Sequence, residues 1–391
     1  MFEKRRTFER KCLKKIKRAI IGSFYLLPIK KNKIVFQNFL GKGYGCNPKY
    51  IAEEIITENL PYELVWLCND LQSEFPPYVR KVRYGSLRAY YELATAKIWV
   101  DNVRNGLRVR KKKGQYYIQT WHAPFGVKCV EKDAENLLPV DYVKTAKIDG
   151  SITDVLLANS YLQEQQYKRA FWISKHTQIL RCGLPRNDFL VNNANDKKIK
   201  DDLREKYGFS KESYIILYAP TFRDDGSMKG YQLDFHKILN AFRKKMHKEC
   251  DLIIRLHPNV QNQSDFVRYE EHIHNGSLYS DIQELSLLSD CVISDYSTSV
   301  FDFAMMDKPV FICALDLEEY EQKRGLLKEF YEFPFPHSYN NEELITQITN
   351  FDREKYYERA KNYFLSNPIY DKGKSAQELV KWMIEKIDNN L

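Results

Sequence analysis

The fold can be inferred from one stretch, Tyr116-Tyr-Ile-Gln-Thr-Trp-His122-Ala-Pro-Phe-Gly-Val-Lys128. It begins with an apolar run typical of a short strand and breaks into a loop at Pro124 and Gly126. A histidine between a strand and such a loop is typical of α/β proteins, which present ligand-binding side chains beyond the carboxyl ends of strands. This stretch alone is equally consistent with a buried structural histidine beside Trp121, so the remaining sequence has to decide.

Short apolar runs alternate with helical patterns along the whole chain, which predicts mostly parallel sheets. The first such unit is a strand at residues 33–38, a loop containing Gly43, and a helix at 48–58 with Asn47 as its N-cap. The loop lacks the Gly-Lys-Ser/Thr ending of a P-loop, so it is interpreted as a flexible active-site loop or a plain turn.

A polar stretch at residues 192–211 is the best candidate for a linker, because a second alternating series starts after it. We therefore predict two Rossmann-like domains that face each other across a cleft. Their predicted limits are residues 31–195 and 205–391, and the second domain includes the helices that end the chain.

Positive charge is concentrated at the amino terminus. Residues 1–33 hold twelve Lys or Arg and two Glu, so they account for +10 of the formal net charge of +9, and the rest of the chain sums to −1. A nearly neutral body does not favour nucleic-acid binding, which needs a basic face of its own.

Within this basic arm, Leu13, Ile16, Ile20 and Phe24 recur at helical spacing, with Lys and Arg between them. The pattern predicts an amphipathic helix in residues 1–30 that lies on an anionic membrane surface; the alternative is a solvated helix. A second basic cluster, residues 108–113, is either a further lipid contact, a substrate contact or a solvated hairpin tip. Eight scattered cysteines and no recognisable signal peptide indicate a reducing, cytoplasmic compartment.

Three polar clusters follow strands of the second half, where parallel-sheet proteins bind their ligands. They are centred on Arg223, on Arg255 with His257, and on residues 294–299. Arginine forks and a helix N-terminus both favour phosphate. The side chains predicted to bind an anionic donor are Arg223, Arg255, His257, Ser294, Asp295, Ser297, Thr298 and Ser299. Each has a structural alternative, such as an ion pair or a helix cap. No Asp-x-Asp pair stands out, so we predict no tightly bound metal.

Taken in order, the motifs Gln119-Thr-Trp-His122, Gly183-Leu-Pro-Arg186, Tyr218-Ala-Pro-Thr221, Arg255-Leu-His-Pro258 and Ser294-Asp-Tyr-Ser297 resemble the CDP-glycerol glycerophosphotransferase family. The resemblance covers roughly residues 33–365. One departure is visible: the family commonly has Gly-Thr-Pro after the first histidine, whereas this chain has Ala123-Pro-Phe125.

The resemblance implies a GT-B fold and transfer of a polyol phosphate, from CDP-glycerol or CDP-ribitol, to a lipid-linked or polymeric glycan at the cytoplasmic face of the membrane. It implies catalytic roles for His122 and His257, with Trp121, Lys128 and Gly43 on the acceptor side. No tightly bound cofactor is expected. Two alternatives stay open: a GT-B glycosyltransferase or epimerase that uses a UDP-sugar, and a non-catalytic module that binds glycopolymer.

Overall fold

The computed structural model describes residues 15–223, 226–256, 267–279 and 281–388. A seven-stranded, wholly parallel sheet forms the N-terminal half, in the order β3-β2-β1-β4-β5-β6-β7. Its strands are β1 (Lys30–Gln37), β2 (Glu63–Cys68), β3 (Val79–Arg83), β4 (Ala96–Asp101), β5 (Tyr116–Gln119), β6 (Val155–Leu157) and β7 (Gln178–Leu180).

The C-terminal half repeats this arrangement with a six-stranded parallel sheet in the order β10-β9-β8-β11-β12-β13. Its strands are β8 (Tyr214–Tyr218), β9 (Cys250–Ile254), β10 (Ile273–Asn275), β11 (Cys291–Ser294), β12 (Val310–Cys313) and β13 (His337–Ser338). Both sheets reverse their strand order beside the first strand, so each half has one topological switch point, where α/β proteins bind ligands. Two such halves in one chain form the predicted GT-B architecture.

Helices cover the faces of both sheets. In the N-terminal half they are α1 (15–24), α2 (Cys46–Thr57), α3 (Leu87–Thr95), α4 (Val140–Ile152), α5 (Tyr161–Ala170) and α6 (Pro185–Asn193). The later ones are α7 (Lys197–Lys206), α8 (Phe235–Met246), α9 (Ile282–Leu288), α10 (Ser299–Ala304), α11 (Leu317–Arg324), α12 (Glu329–Glu332), α13 (Asn341–Thr349), α14 (Arg353–Ser366) and α15 (Ser375–Asp388).

The stretch proposed as a linker contains a helix, α7, which is capped by Asp196 and packs the apolar side of Leu203 into the C-terminal core; its role as a linker stays a prediction. One local prediction is wrong. Asn47 is not the N-cap of α2: the helix begins at Cys46, and Asn47 is fully buried within its first turn.

The last helix, α15, crosses back to the N-terminal half. Leu379, Val380 and Met383 are buried in the same apolar cluster as β1 and α2. Asp188, at the start of α6, accepts bonds from the backbone nitrogens of Ser375 and Ala376 and so caps α15. The division into residues 31–195 and 205–391 stays a prediction. Helix α15 belongs to the second of these ranges by sequence but packs against the first.

Candidate active site

His122 follows β5 by three residues and lies beside the switch point of the N-terminal sheet. Its Nδ1 is 2.8 Å from the backbone oxygen of Asn102, which follows β4, and its ring contacts that of Phe39, which follows β1. Because a carbonyl only accepts, Nδ1 carries the proton and Nε2 is the unprotonated nitrogen. The imidazole is therefore held in the tautomer that a general base requires.

The backbone turn that aims His122 is strained and firmly held. Trp121 has a φ of +54°, a conformation that non-glycine residues rarely adopt outside functional sites. Its nitrogen donates to Gln119 Oε1 at 2.9 Å, and its carbonyl accepts from Asn47 Nδ2 at 3.0 Å. Its indole packs against Phe171 at 4.8 Å between ring centroids. This contact explains why α2 carries a fully buried asparagine, Asn47, inside its first turn.

His122 is half-buried, and its pKa differs from that of a free histidine. Burial lowers its pKa to about 4, and the cations of Lys128 and Arg186 act in the same direction. A neutral imidazole at physiological pH is consistent with proton abstraction and inconsistent with a permanently charged anion ligand.

The loop behind His122 crosses to the other half within three residues. Phe125 and Val127 are buried in the C-terminal core, and the Val127 carbonyl accepts from Leu327 N at 3.0 Å. Lys128 is half-buried, and its backbone forms an antiparallel β-bridge with Leu326. The departure at Ala123–Phe125 therefore lies where the two halves meet.

Gly43 lies in the loop after β1, at a φ of +67°, with open space where a Cβ would stand. Asn38 holds this loop by donating to the carbonyl of Lys42 at 2.8 Å, and it accepts from Asn102 Nδ2 at 2.7 Å. The loop of Gly43, a predicted acceptor-side residue, is thus connected to His122 through Asn38 and Asn102, two asparagines that the sequence did not indicate.

The switch point of the C-terminal sheet contains the second cluster. Ser297, Thr298 and Ser299 are half-buried and follow β11. Ser297 Oγ accepts from Ser299 N at 3.3 Å and lies 3.0 Å from Ser299 Oγ. Ser297 therefore caps α10 locally, and its neighbour Thr298 makes no side-chain cap.

Three predicted donor ligands, Arg223, Asp295 and Ser294, take part in buried contacts within the protein. Arg223 is buried; its Nε and Nη2 donate to Asp316 at 2.7 and 2.8 Å, and Nη2 is also 2.8 Å from Asp295. The rings of Tyr296 and Tyr320 each lie 5.0 Å from the guanidinium. Asp295 also accepts from Thr221 N at 2.8 Å. Two carboxylates already neutralise this cation, which favours the structural ion pair over a direct contact with phosphate; its role in donor binding stays a prediction.

Ser294 is also structural, because its buried hydroxyl donates to the Ala219 carbonyl at 2.6 Å. Arg255 differs: it is half-buried and donates Nη1 to the carbonyls of Gly276 and Tyr279, at 2.8 and 2.6 Å. Burial lowers its pKa, and the nearby charge of Asp281 acts in the opposite direction. His257 lies outside the described residues.

A family profile described as CDP-Glycerol:Poly(glycerophosphate) glycerophosphotransferase matches residues 20–385. The chain belongs to this family.

The relatives agree with this assignment. A teichoic acid poly(glycerol phosphate) polymerase of Staphylococcus epidermidis is 32% identical over 361 residues, covering 89% of this chain and 50% of that protein. The corresponding polymerase of Bacillus spizizenii is 30% identical over 93% of this chain and 94% of its own length. The chain thus spans about half the length of some curated relatives that it matches.

Among solved structures, the wall teichoic acid polymerase TagF superimposes with a TM-score of 0.84 at 28% identity, covering 100% of this chain and 98% of that one. The family assignment disfavours the alternative of an enzyme that uses a UDP-sugar. Within the described residues, we find no group of three or more His, Cys, Asp or Glu side chains suited to a metal ion, and the absence of a tightly bound metal stays a prediction.

Proposed function

We propose that this protein transfers glycerol phosphate from CDP-glycerol, with CDP-ribitol as the second candidate donor, to a lipid-linked or polymeric glycan, and releases CMP. The observation that carries this proposal is His122, which is held as a neutral base at a switch point. The description of the family supports CDP-glycerol as donor, and the names of the relatives support a role in teichoic acid synthesis; a capsule polymer is the alternative product.

In the proposed mechanism, His122 Nε2 takes the proton of an acceptor hydroxyl. The acceptor oxygen attacks the phosphorus that bears the polyol, a new P–O bond forms, and the bond to CMP breaks. Arg255, residues 297–299 and His257 stabilise the charge on the donor phosphates, while Trp121, Lys128 and Gly43 border the acceptor. Phosphoryl transfer depends mainly on such positioning and charge stabilisation.

The test is CMP release from a panel of CDP-glycerol, CDP-ribitol and UDP-sugars. We expect His122→Ala to lower turnover by roughly 10²–10⁴-fold, the usual contribution of a general base, with unchanged donor affinity by calorimetry. His176→Ala, at an exposed histidine, is the matched control. Near-normal turnover of His122→Ala would remove the assignment, and binding of glycopolymer without CMP release would favour the non-catalytic module.

The activity should also have an unusual pH dependence. A general base acts in its unprotonated form, so activity is lost as pH falls through its pKa. Since the pKa of His122 is lowered to about 4, the acid limb of kcat/KM should lie well below pH 6.5. An acid limb near 6.5 that disappears in His122→Ala would contradict the buried, cation-facing environment.

We further propose that the protein is peripheral at the cytoplasmic face of the membrane. Leu26 is 88% exposed and Ile16 56%, while Lys112 Nζ donates to the Leu27 carbonyl at 2.7 Å. The basic segment 108–113 therefore lies beside the apolar end of α1, and a surface of this kind suits anionic lipid. In the portion of the chain that the structure covers, no helix has the length and apolarity of a transmembrane span.

Sedimentation with vesicles tests this surface. Removal of residues 1–30 should reduce binding to vesicles that contain anionic lipid, and raised salt should weaken the binding of the full chain because the charges are screened. Leu26→Ser is a finer variant, with the exposed Leu365→Ser as its control. Equal sedimentation of the truncated and full chains would place any membrane contact elsewhere.

A further inference from the structure

Helix α10, which begins at the half-buried Ser299, is contacted from the N-terminal half at two consecutive residues. The ring of Phe301 packs against that of Phe125, with centroids 6.2 Å apart. Both oxygens of Asp302 accept from Arg186 Nη2 at 2.9 Å. Phe125 comes from the loop behind His122, and Arg186 from the start of α6, so two predicted motifs converge on one short helix.

The Arg186–Asp302 pair is buried and geometrically constrained. Asp302 is 1% exposed and Arg186 8%. Arg186 Nη1 also donates to Gln283 Oε1 at 3.1 Å, and Gln283 Nε2 returns a bond to the Arg186 carbonyl at 3.2 Å. A buried arginine fork constrains orientation as well as distance, so this contact fixes how α6 lies against α9 and α10.

A continuous set of hydrogen bonds connects this pair to the catalytic turn. The backbone nitrogen of Arg186 donates to Asn47 Oδ1 at 3.1 Å, and Asn47 Nδ2 donates to the Trp121 carbonyl at 3.0 Å. Three contacts therefore lead from Asp302 on α10 to the residue before His122. Any movement of α10 relative to α6 acts on the strained turn that aims the imidazole.

Few ionisable groups surround the His122 imidazole in the described structure. Arg186 on α6 and Lys128 on the following loop are the cations, and Asp302 lies behind Arg186. The thiol of Cys46, at the start of α2, interacts with the Asn102 side chain, while β1 contributes the uncharged Phe39. Arg186 and its carboxylate partner are thus the one ion pair between this imidazole and α10 in the described residues.

We propose that the Arg186–Asp302 pair is a positioning element of the transfer reaction, which holds the His122 turn against α10 and whose two opposite charges set the field at the imidazole. This inference rests on the proposed function, because it gives the pair the role of setting the distance between His122 and the donor-phosphate segment at residues 297–299. Neither side chain is expected to touch substrate.

Two variants that break the same ion pair distinguish this role from a purely structural one. Arg186→Gln removes a cation that favours the neutral imidazole, so the pKa of His122 should rise by about one unit. Asp302→Asn leaves that cation uncompensated, so the pKa of His122 should fall. Turnover should fall by roughly ten- to a hundredfold in both, as expected for a displaced base.

The titration is followed by NMR of the histidine ring signals, with His122→Asn to assign the resonance, and in parallel by the acid limb of kcat/KM. Asp290→Asn is the matched control, because it breaks the Arg204–Asp290 pair at 2.8 Å within the C-terminal half; it should leave both readouts unchanged. If Arg186→Gln does not fold, Arg186→Lys keeps the charge and loses the fork, and it should lower turnover without moving the titration.

Opposite shifts with reduced turnover support the proposal. Shifts in the same direction, or unchanged turnover and titration with only a lower unfolding temperature, would overturn it and leave the pair as a packing contact. The NMR titration needs no substrate. A wild-type protein that releases no CMP while the two variants shift in opposite directions would therefore reject the proposed reaction and retain the electrostatic link.

Discussion

Arg223 and Arg255 follow neighbouring strands of the C-terminal sheet, β8 and β9, and have different surroundings. Arg223, after β8, lies between Asp295 and Asp316 and under tyrosine rings. Arg255, after β9, donates to backbone carbonyls and has a lowered pKa because of burial. A strand end brings both side chains toward the same edge of the sheet, but local charge balance decides which of them has affinity left for an anion.

The largest expected effect comes from Arg223. Arg223→Met should lower the free energy of unfolding by about 3–5 kcal/mol, because it leaves two buried carboxylates without their cation. Chemical denaturation measures this loss. Arg223→Lys keeps the charge and loses the fork, so it should be intermediate. A stable Arg223→Met protein with weakened CDP-glycerol binding would instead restore the direct donor role predicted from sequence.

Arg255→Gln should show the opposite profile. We expect weaker binding of CDP-glycerol by roughly tenfold or more, since hydrogen bonds to charged groups contribute about 1.5–3 kcal/mol. The loss of stability should be near 1 kcal/mol, because only bonds to two carbonyls change. Calorimetric titration beside denaturation separates the two quantities. Unchanged affinity would show that Arg255 serves only the 276–279 loop.

The smallest effect concerns two serines of one motif. Ser294→Ala should cost about 1 kcal/mol of stability, because its buried bond to Ala219 is lost, and donor affinity should not change. Ser297→Ala should weaken donor binding a few-fold with little change in stability. If the two serines behave alike in both measurements, the distinction between buried and half-buried members of this motif fails.

The sequence was sufficient for the alternation of strands and helices and for the two parallel sheets, because apolar runs and turn residues are local signals. It also predicted that His122 follows a strand end, since a strand followed by Pro124 and Gly126 has a clear pattern; the catalytic role of His122 stays a prediction. The surroundings of His122 could not be predicted in this way. Asn102, Asn47 and Asp302 carry no local signal, and their roles depend on contacts across 20 to 116 residues of sequence.

The same limitation applies to two other regions. The strand end that carries Arg223 was predictable, whereas its partner Asp316 is 93 residues away. The helix α7 inside the predicted linker was not expected, because the segment is mostly charged and the burial of Leu203 that stabilises it depends on the C-terminal core.

The return of α15 to the N-terminal half has a consequence for synthesis of the protein. Leu379 and Met383 complete the cluster around β1 and α2, and Asp188 accepts hydrogen bonds from the backbone nitrogens of residues 375 and 376. A nascent chain that has emerged only through β7 therefore lacks part of its own core. Because domains generally fold as units during synthesis, the N-terminal half should gain its full protection against proteases only after α15 has left the ribosome.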